Sequence, residues 1–213
     1  MTGERRIGLL GGTLDPIHLG HLDAAEAART TLALDEVLVV PAHDPPHRSG
    51  DPHASAFHRF AMVALAIEGR AGYRASDMEL RRTGPSYTAL TLRDLHASGL
   101  RASQIYFIIG ADAFADVGSW YDYPAILEAC RFAVVRRPGT TIDAALDRTP
   151  DLRGRLGTSI HPVDAETAAV SSSEIRARLA AGQPIDGLVP APVARHIGAH
   201  QLYRTADDVY GQD

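Results

Sequence analysis

Short apolar runs alternate with longer amphipathic runs along most of this chain of 213 residues. The short runs predict buried strands, and apolar residues spaced three or four apart predict helices. The predicted strands are Arg6–Leu10, Glu36–Val40, Tyr73–Ser76, Gln104–Ile109, Phe132–Val135 and Thr158–Val163, and the predicted helices are Leu19–Leu32, Ser55–Ile67, Tyr87–His96, Ala111–Ala115, Pro124–Ala129 and Ser172–Ala181. Strands that alternate with helices form parallel sheets covered on both faces. We therefore expect an α/β fold with a doubly wound parallel sheet.

The length and the hydrophobic content of 45% suffice for one sizeable core, so we expect a single domain over residues 1–213. A net charge of −5 and scattered arginines disfavour binding to nucleic acid or to a membrane. Cys130 is the only cysteine, so no intrachain disulfide can form, and neither a signal peptide nor a long apolar run is found. We expect a cytoplasmic protein, and we leave open whether it is a homo-oligomer.

The basic residues restrict the chemistry of any phosphate site. All 21 lysine or arginine positions are arginine. A chain without lysine cannot use a Walker-type phosphate lysine, a lysine Schiff base or a lysyl-adenylate. Phosphate must therefore be bound by arginine, histidine, backbone N–H groups or a metal ion.

The most informative motif, GGTLDPIHLGH, lies between the first predicted strand and the first predicted helix. Its paired glycines, Gly11 and Gly12, let the backbone approach a ligand closely, and the Asp-Pro pair favours a turn. The N–H groups at the start of the following helix bind anions. His18 and His21 are three residues apart and can face the same ligand. The motif therefore predicts a phosphate site.

A serine-rich segment precedes the last predicted helix and has the form of a capping box, with Ser171 as N-cap and Glu174 three residues later. Capping does not explain Ser172, Ser173 and Arg176. Helical side chains lean towards the N-terminus, so Arg176 can fold back over the first turn and join the hydroxyls around a triphosphate. A solvent-exposed helix face is the alternative for Arg176.

A proline-rich loop with two histidines, His43 and His47, follows the second predicted strand. We expect Arg48, in the same loop, to contact phosphate, because a guanidinium binds phosphate in a bidentate, planar manner. An exposed turn is one alternative. A zinc site is another, because His53 and His58 lie nearby in the sequence.

Two further segments suggest a binding pocket for a second substrate. Trp120 is the only tryptophan and lies in a segment rich in glycine, serine and aspartate, where its indole can stack on a flat, electron-poor ring. Core packing is the alternative. Asp112 follows a predicted strand and Gly110, so it can accept hydrogen bonds from ribose hydroxyls. Its alternative role is the N-cap of the next helix.

These motifs resemble those of the nucleotidylyltransferase superfamily, whose signature is (H/T)xGH, and the longer GGTxDPxHxGH form is similar to that of bacterial nicotinate-nucleotide adenylyltransferases. The segments VSSSEIR, SYT, GADAFADVGSW and PPHR resemble the family's ISSTxIR, SYT, GxDxxxxxxxW and PPHK motifs. Leu90 departs from the family pattern, which has aspartate there. The segment Leu188–Tyr203 resembles the family's closing helix, whereas Thr140–Gly157 matches nothing specific. The resemblance covers residues 5–204 and implies a Rossmann-like fold of the nucleotidylyltransferase type.

The resemblance also implies a reaction: adenylyl transfer from ATP to nicotinate mononucleotide, which gives deamido-NAD and pyrophosphate. Mg²⁺ would be held by the phosphates and not by protein ligands. The motifs include no activated nucleophile, so direct in-line attack at the α-phosphorus fits best. The implied catalytic residues are His18, His21 and Arg176. The implied ATP-binding residues are Gly11, Gly12, Thr13, His18, His21, Arg48, Gly110, Asp112, Ser171, Ser172 and Arg176, and the implied acceptor-binding residues are Tyr87, Thr88, Asp112, Trp120 and Arg136.

Two other functions stay open at this point. A sister adenylyltransferase could use another phosphorylated acceptor, such as nicotinamide mononucleotide or phosphopantetheine, at the same His18–His21 site. A phosphopantetheine enzyme would have no evident use for the SYT and tryptophan motifs. A non-catalytic nucleotide-sensing paralogue is the second alternative, although His18, His21 and Arg176 are all present.

Overall fold

The computed structural model describes residues 4–46, 53–136 and 141–204. Six parallel strands form one sheet in the order β3-β2-β1-β4-β5-β6. The strands are β1 Ile7–Gly12, β2 Glu36–Pro41, β3 Tyr73–Ala75, β4 Ile105–Gly110, β5 Arg131–Arg136 and β6 Ile160–Asp164, and the helices are α1 Leu19–Thr31, α2 Ala56–Ile67, α3 Thr88–Ala97, α4 Ala111–Phe114, α5 Tyr123–Ala129, α6 Asp143–Arg148, α7 Ser172–Ala180 and α8 Ala191–Ala199. The doubly wound, Rossmann-like sheet is confirmed, and each predicted strand or helix ends within two residues of its observed bounds. In the described part of the chain, no helix is both long and apolar enough to cross a bilayer.

Both faces of the sheet are covered, because successive side chains of a strand point to opposite sides. Leu10 and Ile108 pack in one core with residues of α1, α2, α7 and α8. Leu9 and Phe107 pack in the other core with residues of α3, α4, α5 and α6. Strands buried on both faces must be apolar throughout, which is why they stand out as continuous hydrophobic runs in the sequence.

The order of the strands reverses between β1 and β4. The chain passes from β1 to β2 and β3 on one side, then returns to place β4, β5 and β6 on the other side. Ligands of such sheets bind outside the carboxyl ends of the strands at this point. Gly11 and Gly12 were expected just after β1, and Gly110 just after β4. They are instead the last residues of those strands, because they pair with β2 and β5 in the sheet.

Candidate active site at the carboxyl ends of β1 and β4

A cavity of about 520 Å³ opens where the strand order reverses. Its volume lies within the range of small-molecule binding sites. The cavity brings together segments from both halves of the sheet: the ends of β1 and β4, the start of α3 and the Trp120–Tyr121 pair. The predicted site residues that line it are Gly11, Gly12, Thr13, His21, Tyr87, Thr88, Gly110, Asp112 and Trp120.

Two histidines at the start of α1 form a stacked pair beside this cavity. His18 is the N-cap residue of α1 and is buried, and its ring lies 3.7 Å from that of His21, centroid to centroid. The backbone N–H of His18 donates to Nδ1 of His21 over 3.3 Å. An imidazole that accepts at Nδ1 carries its proton at Nε2 when neutral. When neutral, His21 therefore carries its hydrogen-bond donor at Nε2.

The glycine between these histidines allows a close approach that a larger residue would prevent. A Cβ atom on Gly20 would lie 3.1 Å from the carbonyl oxygen of Ala168 and 3.2 Å from Nδ1 of His18. The carbonyl belongs to the segment between β6 and α7, so Gly20 lets the first turn of α1 lie against that segment. A side chain here would push against the His18 ring.

The start of α7 packs on the turn that precedes His18. Ser171 caps this helix as predicted, since its Oγ accepts the backbone N–H of Glu174 over 3.1 Å. The hydroxyl of Ser172 donates to the carbonyl oxygen of Pro16 over 2.9 Å. Ser171 and Ser172 do not line the cavity. Ser172 instead fixes the position of the turn that leads into the histidine pair.

Arg176 folds back over the first turn of α7, as the direction of helical side chains predicts. Its guanidinium donates to the carbonyl oxygen of Asp15 over 2.8 Å and to the hydroxyl of Ser173 over 3.0 Å. The side chain therefore bridges α7 and the turn before His18. The solvent-exposed alternative for Arg176 is wrong, because its guanidinium is anchored to this turn.

A buried carboxylate that the sequence analysis treated only as part of a turn organises this region. Asp15 is 1% exposed, and it accepts the backbone N–H groups of His53 and Ala54 over 2.9 and 3.1 Å. Near the C-terminus of the described chain, the hydroxyl of Tyr203 donates to it over 2.8 Å. These bonds join the turn before His18 to the start of α2 and to the segment after α8.

Arg59 is a second buried group that the sequence analysis missed. It is 1% exposed, and its guanidinium donates to the carbonyl oxygens of Thr13, Ala42, His43 and Ala54. It therefore joins the loops after β1 and β2, which both line the cavity. An arginine inside the largely apolar helical run AFHRFAMVALAI was the signal that could have revealed it.

Aromatic side chains line the cavity near the start of α3. The rings of Tyr87 and Tyr121 stack with their centroids 4.4 Å apart. Trp120 is half-buried and meets Phe107 edge to face, with centroids 5.7 Å apart. The indole is therefore partly packed against the core and also lines the cavity. Thr88 is the first residue of α3, a position whose backbone N–H has no partner within the helix.

The cavity also contains a buried acid that the sequence analysis did not identify. Glu79 is buried, and its carboxyl accepts the hydroxyl of Thr91. Burial raises the pKa of Glu79 above its ordinary value. The side chain of Ser86 also interacts with this carboxyl. The hydroxyl oxygen of Ser86 accepts the backbone N–H of His43 over 2.8 Å. A network of hydrogen bonds thus connects the SYT segment to the loop after β2.

Asp112 lines the cavity but is not the N-cap of α4. That position is held by Gly110, so the alternative role of Asp112 as a cap is wrong. Asp112 lies in the first turn of the helix, where a carboxylate is favoured by the helix dipole. A Cβ atom on Gly110 would lie 2.5 Å from Oδ1 of Asp112, so a side chain at this position would force the carboxylate of Asp112 to move.

Five described residues that were predicted to bind substrate do not line the cavity: His18, Arg136, Ser171, Ser172 and Arg176. Arg136, the last residue of β5, forms an ion pair with Asp164 of β6 over 2.8 Å and does not line the cavity. Arg48 lies outside the described residues, so its expected contact with phosphate stays a prediction.

Comparisons with known proteins agree with this fold. A family model described as cytidylyltransferase-like matches residues 9–178. A protein of Roseiflexus sp. (strain RS-1) named "Probable nicotinate-nucleotide adenylyltransferase" is 44% identical over 93% of this chain and 98% of its own length. A Symbiobacterium thermophilum protein of the same name is 41% identical over 93% of this chain and 95% of its own length. The solved Plasmodium falciparum nicotinic acid mononucleotide adenylyltransferase, complexed with NaAD, has a TM-score of 0.71 at 19% identity and covers 94% of this chain and 98% of that chain.

The parallel sheet, the histidine pair at its reversal point and the family match define an enzyme of the nucleotidyltransferase class. Within that class, the chain belongs to the nicotinate-nucleotide adenylyltransferase family, because relatives of that name match it at 44% and 41% identity over nearly their full length. The resemblance stated from the motifs is therefore confirmed. At 19% identity, the Plasmodium falciparum structure supports the fold alone.

Proposed function

We propose that this protein transfers the adenylyl group of ATP to nicotinate mononucleotide, forming deamido-NAD and releasing pyrophosphate. The main support for the proposal is that two groups of residues line the same cavity. The glycine-histidine motif forms one part of its wall, and Tyr87, Thr88 and Trp120 form another. The first group of residues suits phosphates, and the second suits a flat ring with a carboxylate. The names of the curated relatives support the same reaction.

The transfer is a direct displacement at the α-phosphorus of ATP. An oxygen of the acceptor's phosphate forms the new P–O bond as the bond to the bridging oxygen of pyrophosphate breaks. Such a reaction asks the protein for positioning and charge stabilisation and for no covalent intermediate. The Nε2–H group of His21 donates to the phosphoryl oxygens, and His18 fixes the His21 ring by stacking and through its backbone N–H. Arg176, whose guanidinium reaches from α7 to the turn before His18, holds the triphosphate.

Mg²⁺ completes the site in this proposal. Of the described acidic residues, Glu79 and Asp112 line the cavity, and the carboxyl of Glu79 is engaged by Thr91. The carboxylate of Asp15 is held by His53, Ala54 and Tyr203. These observations suit a Mg²⁺ ion that keeps phosphate and water oxygens as its ligands. When bound, the ion neutralises charge on the phosphates.

The start of α3 gives a physical reason for preferring a nicotinate ring. The backbone N–H groups of a first helical turn and the positive end of the helix dipole both favour an anion. A carboxylate beside Tyr87 and Thr88 would gain charge-assisted hydrogen bonds, while the plane of the ring stacks on Trp120. A neutral amide would lose about 2–4 kcal/mol of this stabilisation, because donors would be left poorly paired.

The test is to incubate the purified protein with ATP, Mg²⁺ and one acceptor at a time, and to follow the release of pyrophosphate. The acceptors are nicotinate mononucleotide, nicotinamide mononucleotide and phosphopantetheine. We expect the first to be used with the highest kcat/KM. A preference for phosphopantetheine would identify a sister enzyme, and ATP binding without turnover on any acceptor would identify a nucleotide sensor.

The same assay tests the histidine pair. Replacing His18 or His21 by alanine should lower kcat by about 100-fold or more, which is the usual cost of removing a group that stabilises transition-state charge. Turnover at the rate of the unmodified protein in both variants would contradict the proposed roles and leave the pair with a structural function.

A further inference from the structure

Three histidines meet on the surface of the molecule where α2 and α8 pack together. His58 lies in the first turn of α2, and His196 and His200 are one helical turn apart at the end of α8. One ring nitrogen from each residue lies within 4.8 Å of the other two. Nδ1 of His58 and Nε2 of His196 are 3.1 Å apart. These residues belong to none of the motifs assigned to nucleotide binding.

We propose that His58, His196 and His200 bind a divalent transition metal ion, with Zn²⁺ as the fitting ion. Zinc binds imidazole nitrogens at about 2.0–2.1 Å, so two ligands of a tetrahedral site lie about 3.3 Å apart. The 3.1 Å separation of His58 and His196 is close to that value. His200 is exposed at the end of α8 and can approach by a side-chain rotation. Imidazole ligands without carboxylates select zinc and its neighbours over Mg²⁺ or Ca²⁺.

A simple hydrogen bond between two rings does not account for the whole cluster. Such a bond explains why His58 faces His196, but it gives no role to His200. The ring of His200 lies 4.8 Å from that of His58 and 4.4 Å from that of His196, centroid to centroid. A shared metal ion explains all three positions. The exposure of His200 leaves room for water as the fourth ligand of a tetrahedral ion.

The position of the cluster indicates what the metal would do. It would connect α2 to α8 through side chains 138 and 142 residues apart in the chain, counted from His58 to His196 and to His200. The residues just before α2 donate backbone N–H groups to Asp15, and Tyr203, just after α8, donates its hydroxyl to the same carboxylate. A metal clamp here would stabilise both segments that hold Asp15. This role is structural and does not depend on the identity of the acceptor substrate.

The test is calorimetric titration of the chelator-treated, full-length protein with ZnCl₂ in a buffer that contains Mg²⁺. We expect one zinc ion per chain, which Mg²⁺ does not displace. His58→Gln and His200→Gln should each weaken zinc binding by about 100-fold or more, because even second-shell changes cost 10–100-fold in metal affinity. His43→Gln is the matched control and should bind zinc like the unmodified protein. It also tests the zinc site that the sequence analysis considered near the proline-rich loop.

Thermal unfolding separates a specific site from adventitious binding. Zinc should raise the unfolding midpoint of the unmodified protein and of His43→Gln, because a ligand that binds only the folded state stabilises it. It should not raise the midpoint of a folded His58→Gln or His200→Gln variant. Circular dichroism establishes which variants are folded. The proposal fails if zinc does not bind, if a folded cluster variant binds it as the unmodified protein does, or if His43→Gln alone loses it.

Discussion

Replacing Arg59 by methionine tests whether one buried guanidinium holds the cavity loops in place. Methionine keeps most of the apolar length of the side chain and removes every donor. The guanidinium donates to four carbonyl oxygens, of which those of Ala42 and Ala54 are in buried residues. A hydrogen bond to a charged group contributes about 1.5–3 kcal/mol, and a carbonyl left buried without its partner costs about 1–3 kcal/mol.

The expected loss in free energy of unfolding is smaller than the sum of the contributions of the four hydrogen bonds. The carbonyl of the exposed residue His43 can rebind water, and removal of the charge also removes its desolvation cost. Counting the two buried carbonyls in full, we expect Arg59→Met to lower the free energy of unfolding by about 3–5 kcal/mol. Most small domains have a free energy of unfolding of about 5–15 kcal/mol, so the variant should still fold but with a small remaining free energy of unfolding.

The measurement is urea unfolding followed by circular dichroism, with Arg74→Met as the matched control. Arg74 is exposed and pairs with Glu36 over 2.9 Å, so its loss should cost less than about 1 kcal/mol. The KM for ATP should also rise in Arg59→Met, because the loop that contains Thr13 loses a contact. If Arg59→Met lowers the free energy of unfolding by less than about 1 kcal/mol, the reasoning is refuted. The buried hydrogen bonds of Arg59 would then stabilise the protein no more than a surface ion pair does.

Further changes test other parts of the site. Arg176→Ala should weaken ATP binding by about 10–100-fold with little effect on the acceptor KM, as measured by calorimetry and steady-state kinetics, and the reverse pattern would assign Arg176 to the acceptor. Trp120→Ala should raise the acceptor KM and leave ATP binding nearly intact, and the fluorescence of the unmodified protein should respond to nicotinate mononucleotide. Gly20→Ala should cost about 1–3 kcal/mol in urea unfolding and lower kcat, because the added methyl presses on His18. Burial raises the pKa of Glu79 above 4.5, so the folded state loses stability relative to the unfolded chain as the pH rises above that value. Glu79→Gln should lack this loss, and its advantage in urea unfolding should therefore grow from pH 4.5 upwards. If the difference in unfolding free energy between Glu79→Gln and the unmodified protein does not change with pH, the raised pKa of Glu79 is contradicted.

Several features of the site could be predicted because neighbours in the sequence determine them. The N-cap role of Ser171 and the direction of Arg176 depend on the geometry of a single helical turn, and the structure has both. The placement of Gly11, Gly12 and Thr13 at the carboxyl end of β1 follows from the apolar run that forms this strand. The alternative role of Asp112 as the N-cap of α4 was wrong, because Gly110, two residues earlier, holds that position.

The residues that sequence analysis missed depend on long-range contacts. Asp15 looked like part of a turn, but it binds backbone groups of His53 and Ala54 and the hydroxyl of Tyr203, 188 residues away. Arg59 and Glu79 have partners that are distant in the sequence: the carbonyl of Thr13 is 46 residues from Arg59, and the hydroxyl of Thr91, in α3, is 12 residues from Glu79. Local periodicity does not say which loop will supply a carbonyl or a hydroxyl.

The sequence by itself determined the α/β class, the bounds of β1 to β6, of α1 to α5 and of α7 within two residues, and the motif that predicts a phosphate site. These properties arise from interactions between residues at most a few turns apart. The spacing of apolar residues along the sequence therefore predicts them. Only the tertiary structure decided that Arg136 pairs with Asp164, away from the cavity, and that His58 meets His196 and His200. Such pairings depend on which helices and strands pack side by side, and that choice is made by the whole hydrophobic core.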